Sequence, residues 1–155
     1  MVTFRFPSRG DLPPVKLTWW EGLRAPWPEG LDGDLEMPKE GGLVIKGSKG
    51  SILANVYGGR PMLLPTALHR DYKRPARTLP RVEGESHELD WVRASKGGLK
   101  ACSSFEYASH LTEICLLGNV AKRAGVPLDY DGNAMKFTNS PESDKYLKTE
   151  YRKGW

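Results

Sequence analysis

Residues 103–125 read SSFEYASHLTEICLLGNVAKRAG, and this stretch decides the fold. Ala108, Leu111, Ile114, Cys115, Gly118 and Ala121 recur at the three-and-four spacing of a helix stripe. Phe105, Leu117 and Val120 widen that stripe, while Glu106, Glu113, Asn119 and Arg123 fall mostly outside it. Ser103 and Glu106 stand at capping-box spacing, in which each side chain satisfies an orphan N–H of the first turn. Lys122 and Arg123 suit the negative end of the helix, Gly125 a left-handed cap, and Pro127 stops continuation. Gly118 is costly inside a helix, so its place on the stripe predicts another backbone packed closely there. Such a helix needs a sheet to cover.

A chain of 155 residues can build one domain with a core, and its 39% hydrophobic content is ordinary for a soluble protein. The net charge of +4 is modest, with acids interspersed among the bases, and a solvated surface accounts for it without nucleic acid. No apolar run approaches the ~20 residues of a membrane span, and the first residues lack a signal peptide's apolar block. No membrane or nucleic-acid partner is expected. Cys102 and Cys115 are thirteen residues apart. On one helix that is about 20 Å, too far for a disulfide, so Cys115 reads as a small core residue.

Outward from the helix, the chain supplies strands. Val2, Phe4 and Phe6 alternate with Thr3 and Arg5 as in a half-buried strand, and Val15–Trp20 reads as its return. A strand beginning at the second residue suggests that something precedes it. Residues 21–42, with Pro26, Pro28 and Pro38, read as a long loop, which in compact domains is usually functional or interfacial. Leu43–Lys46 and Ser51–Val56 form the clearest hairpin, joined by Gly47-Ser48-Lys49-Gly50. Tyr57-Gly58-Gly59-Arg60-Pro61 is a turn leading to a short strand at Met62–Leu64. Residues 65–85 are basic and proline-rich without a clear period, which fits a solvated or interdomain crossover. Ser86 caps a helix reaching Lys96, with Leu89 and Val92 inward and Gly97-Gly98 stopping it. Beyond the long helix, Leu128–Asp131 and Met135–Thr138 pair as strands, and Pro141 opens a last helix reaching about Tyr151, with Tyr146 and Leu147 toward the body. Strand pairs followed by grouped helices give an α+β fold, built on an open, mostly antiparallel sheet with helices on one face.

Most catalytic patterns fail. His87-Glu88 begins like a zinc HExxH helix, but position 91 is Trp91, so no metal site is expected. His110 falls on the polar side of the long helix. Glu88 and Asp90, two apart on a helix, diverge. No GxSxG elbow, Walker A loop or GxGxxG fingerprint occurs, so this chain alone is expected to hold no dinucleotide cofactor and to contain no catalytic residue. Trp19, Trp20 and Trp27, with Tyr57 and Arg60, are more suggestive: ring faces stack on sugars and a guanidinium donates to hydroxyls. Trp19, Trp20, Tyr57 and Arg60 are therefore the substrate-facing candidates. Strand alternation would put Trp19 and Trp20 on opposite faces, so at most one can join such a surface. Core or interface packing remains the favoured reading for the group.

FPSRGDLPPVKLTWWEG (6–22), GGLVIKGSKGSILANVYGGRPMLLP (41–65), HELDWVRASKGG (87–98), FEYASHLTEICLLGNVAKRAG (105–125) and NSPESDKYLKTEYRKGW (139–155) together resemble one family. They are similar to the C-terminal α/β domain of Gfo/Idh/MocA-type oxidoreductases, in the bacterial branch rich in secreted sugar-processing enzymes. The resemblance implies a partner Rossmann domain that holds NAD or NADP, a sugar or polyol substrate, and homo-oligomerisation through the exposed sheet face. It places the catalytic lysine in an EKP-like motif and an Asp/His pair upstream of the matched region, and neither motif occurs here. The chain is thus expected to be the substrate-side and oligomerisation part of such an enzyme, inactive alone. Alternatives are the equivalent domain of an NAD-dependent glycosidase and a standalone carbohydrate-binding or scaffolding module.

Overall fold

The computed structural model describes residues 1–22, 25–32 and 40–154. In chain order its elements are β1 (Val2–Phe6), β2 (Val15–Trp19), β3 (Gly42–Gly47), β4 (Gly50–Asn55), β5 (Met62–Leu64), α1 (Thr66–Asp71), α2 (His87–Ser95), α3 (Phe105–Ala124), β6 (Tyr130–Asp131) and β7 (Lys136–Phe137). Short 3-10 turns lie at Glu83–Glu85 and Pro141–Tyr146. The fold is α+β, and among the described residues every strand pairing is antiparallel. Among the described residues the strands are divided among three small sheets, β1–β2, β3–β4–β5 and β6–β7. The chain clusters into two compact units, one of Met1–Glu21 with Pro80–Trp155 and the other of Gly22–Leu79.

In the first unit α3 is the principal element. Its helix begins after Ser104, whose carbonyl accepts from the Ala108 N–H at 2.8 Å. The Ser103–Glu106 capping box does not form: the cap residue is Ser104, with no side-chain capping bond, and the Glu106 carboxylate pairs with Lys100 instead. That ammonium also holds the Glu106 carboxyl below its ordinary range. Gly125 closes the helix in the left-handed conformation (φ 70°), as expected. Gly118 and Val120 are buried, with Ile114, Leu117 and Ala121 half-buried beside them. The close neighbour of Gly118 is the Phe4 ring of β1 rather than another backbone. Leu111 and Cys115 are exposed, so the stripe is covered over only part of its width.

Ser86 caps α2, its hydroxyl accepting from the Leu89 N–H at 3.2 Å. The Gly97-Gly98 pair ends it: Gly97 takes the left-handed φ 85°, and the Gly98 N–H donates to the Arg93 carbonyl at 3.0 Å. A Cβ there would lie 2.8 Å from that oxygen, so only glycine fits. Val92 is half-buried but Leu89 is exposed. After α3, the chain folds back onto it. The Tyr130 hydroxyl donates to Glu113 at 2.7 Å, the Phe137 N–H donates to Asp144 at 2.9 Å, and the Arg123 guanidinium lies 4.7 Å from the Tyr146 ring centre. Pro141 opens a six-residue 3-10 turn, shorter than the expected helix, with Tyr146 and Leu147 half-buried.

In the second unit the register Val44↔Leu53↔Met62 places three apolar side chains on one face of the β3–β4–β5 sheet. They pack with Leu31 and Leu64 to form a small core. Leu31 comes from the stretch read as a long loop, and the described part of that stretch is anchored. The Gly30 carbonyl accepts from the Thr66 N–H at 3.2 Å, and Asp32 accepts from the Thr66 hydroxyl. Helix α1 falls within the stretch that showed no period; six residues are too short to display one.

Candidate functional site

The end of the second sheet carries the best-formed exposed feature. Asn55 closes β4, and its side-chain oxygen accepts from the backbone N–H groups of Tyr57 (3.0 Å) and Gly59 (2.7 Å). Its own backbone N–H donates to the Gly59 carbonyl at 3.1 Å, and its carbonyl accepts from the Gly58 N–H at 2.9 Å. An asparagine can offer the chain this local alternative to the strand ladder. Gly58 takes φ 70° and Arg60 φ 52°, a left-handed conformation that a residue with a Cβ adopts at a cost. The result is a pinned turn that presents Tyr57, 92% exposed, with the exposed Arg60 three residues on.

The sheet beneath this turn is apolar on both faces. Opposite the core face, Ile45, Ile52 and Leu63 are paired across three strands and Leu43 faces Ala54. Ala54 is buried and Leu63 half-buried, but Ile45 (57% exposed), Ile52 and Leu43 remain open to solvent. A sheet that faces water on one side ordinarily alternates apolar with polar residues. This one does not, and contiguous apolar exposure marks interaction surfaces.

The sequence candidates divide between the two units. Tyr57, Arg60 and Trp27 belong to the second; the Trp27 indole N–H donates to the Leu31 carbonyl at 3.4 Å. Trp19 and Trp20 belong to the first. Trp19 pairs with Val2 and shares the face of Phe4 and Leu17, with half its surface exposed. Trp20 lies one residue beyond β2, so strand alternation does not govern it. The structure therefore joins Tyr57 with Arg60 on one turn.

Two features escaped the sequence reading. Asn55 had a usable signal, an Asx residue just before a Gly-Gly turn. The other is Glu113, whose carboxylate lies between the Tyr130 hydroxyl (2.7 Å) and His110 (3.7 Å). Burial, then the bond to Glu113, pushes the Tyr130 phenol up to about 12. No sequence spacing could have announced that contact, since it depends on the chain folding back after α3. Among the described residues no three His, Cys, Asp or Glu side chains group as metal ligands, and no helix is long and apolar enough to cross a membrane. No protein-family model matches the sequence, and no curated protein matches it.

Proposed function

We propose that this chain is the substrate-side and oligomerisation domain of an NAD(P)-dependent oxidoreductase acting on a sugar or polyol. The single observation that carries the reading is the β3–β4–β5 sheet. Its second face is apolar and open at Leu43, Ile45 and Ile52, the expected place for a partner subunit. The sequence motifs supply the rest of the support, through their resemblance to the C-terminal domain of Gfo/Idh/MocA-type enzymes. The Rossmann partner domain would hold NAD or NADP and the lysine and histidine that move the proton. Tyr57 and Arg60 are the residues here best placed to meet a hydroxylated substrate, by ring stacking and guanidinium donation.

The test is titration of the purified chain with NADH, followed by fluorescence, together with assay of NAD reduction over a panel of sugars and polyols. No dinucleotide binding and no turnover are expected. Stoichiometric NADH binding would sink the reading. The turn itself favours one alternative, a standalone carbohydrate-binding module, because a pinned and almost fully exposed tyrosine needs no second domain to stack on a sugar. Sugar binding by a strictly monomeric chain would support that alternative.

A further inference from the structure

Beyond the sheet and its turn, the second unit ends in a basic stretch that follows directly on Asp71. Residues 72–79 read YKRPARTL, and all are exposed. Lys73, Arg74 and Arg77 lie there with no acidic residue among them, so eight residues hold three of the chain's net +4 charges. Arg70, just before, lies 3.9 Å from Asp32. Among the described residues, Lys73, Arg74 and Arg77 have no ion-pair partner. The stretch has no helix or strand, and Pro75 biases Arg74 before it toward extended backbone.

We infer that Tyr72–Leu79 is a cationic docking arm for an acidic protein surface. Two of the three cations are arginines, whose planar fork takes a carboxylate or a phosphate in two parallel hydrogen bonds. Two further features choose carboxylates over phosphates. Tyr72 is the arm's sole aromatic residue, whereas single-stranded nucleic acid is held by successive stacked rings. Three charges are also few beside the roughly six to ten phosphate contacts of a strong DNA binder. Exposed cations of this kind steer an acidic partner into place and make its capture salt-dependent. The inference is independent of the oxidoreductase reading, since it requires neither cofactor nor sugar.

The experiment titrates fluorescein-labelled oligoglutamate with the purified chain and follows anisotropy at low and at physiological salt. A second titration uses labelled oligothymidylate. The variant is the triple Lys73→Gln, Arg74→Gln, Arg77→Gln chain, its fold checked by circular dichroism; the companion Arg74→Lys, Arg77→Lys chain keeps the charge and loses the fork. Oligoglutamate should bind at low salt, weaken with added salt, and bind the triple variant about tenfold more weakly. The lysine variant should fall between. Absence of oligoglutamate binding at low salt, or binding unchanged in the triple variant, would overturn the inference. So would tighter binding of oligothymidylate, which would make the arm a nucleic-acid contact.

Discussion

The Phe4 ring occupies the space beside Gly118: a Cβ built on that glycine would lie 3.2 Å from the Phe4 Cζ. This contact joins β1 to α3, and it sets two effects against each other. Alanine at 118 gains about 1 kcal/mol of helix propensity, but Phe4 must move by a few tenths of an ångström. Gly118→Ala should therefore change stability by less than about 1 kcal/mol in the native background and stabilise by about 1 kcal/mol when Phe4 is also alanine. Gly118→Leu, which the ring cannot yield to, should cost about 1–3 kcal/mol. Urea denaturation of the double-mutant cycle measures the coupling, and equal effects in both backgrounds would show that Phe4 does not limit position 118.

The Asn55 side chain holds the turn that presents Tyr57, through bonds to the N–H groups of Tyr57 and Gly59. Asn55→Ala removes both and should cost about 1–2 kcal/mol. Asn55→Asp keeps the accepting oxygen and should retain most of that stability. Amide hydrogen exchange at Gly59 reads the same event locally: protection should fall in the alanine variant and persist in the aspartate variant.

Tyr130 gives a pH signature. Its phenol is pushed up to about 12, first by burial and then by the hydrogen bond to Glu113, against about 10 in an unfolded chain. The folded state therefore holds this proton more tightly than the unfolded state. The associated stability is fully present below about pH 10 and is lost as pH rises through about 12. Phenolate absorbance of the native chain minus that of Tyr130→Phe isolates the group. Glu113→Gln should move Tyr130 part of the way down, because burial remains after the carboxylate charge is removed. A Tyr130 that titrates at the free-tyrosine value would contradict the observed contact.

Much of the chain's local structure was legible in the sequence, because it is decided by near neighbours. The span of α3, its Gly125 cap, the Ser86 cap and the hairpin at Gly47–Gly50 all followed from spacing and turn chemistry. What failed depended on partners distant in the sequence or on competition between them. Glu106 was equally available to Ser103 and to Lys100, and the charged partner took it. Leu111, Cys115 and Leu89 read as inward because periodicity names an apolar face without saying how wide its cover is. At the candidate site, the exposed turn of Tyr57 and Arg60 could be read from its glycines. Its anchoring by Asn55 and the open second face of the sheet required the strand register.

That second face also carries the central claim, and sedimentation equilibrium of the purified chain beside an Ile45→Glu variant tests it most directly. Ile45 is 57% exposed and lies on the face opposite the Leu31–Leu53–Leu64 core, so the substituted chain should still fold as a monomer. A native chain that self-associates, with Ile45→Glu reduced to monomer, is the result expected of an oligomerisation domain. A native chain that remains monomeric at high concentration, or a variant that associates equally well, would contradict it.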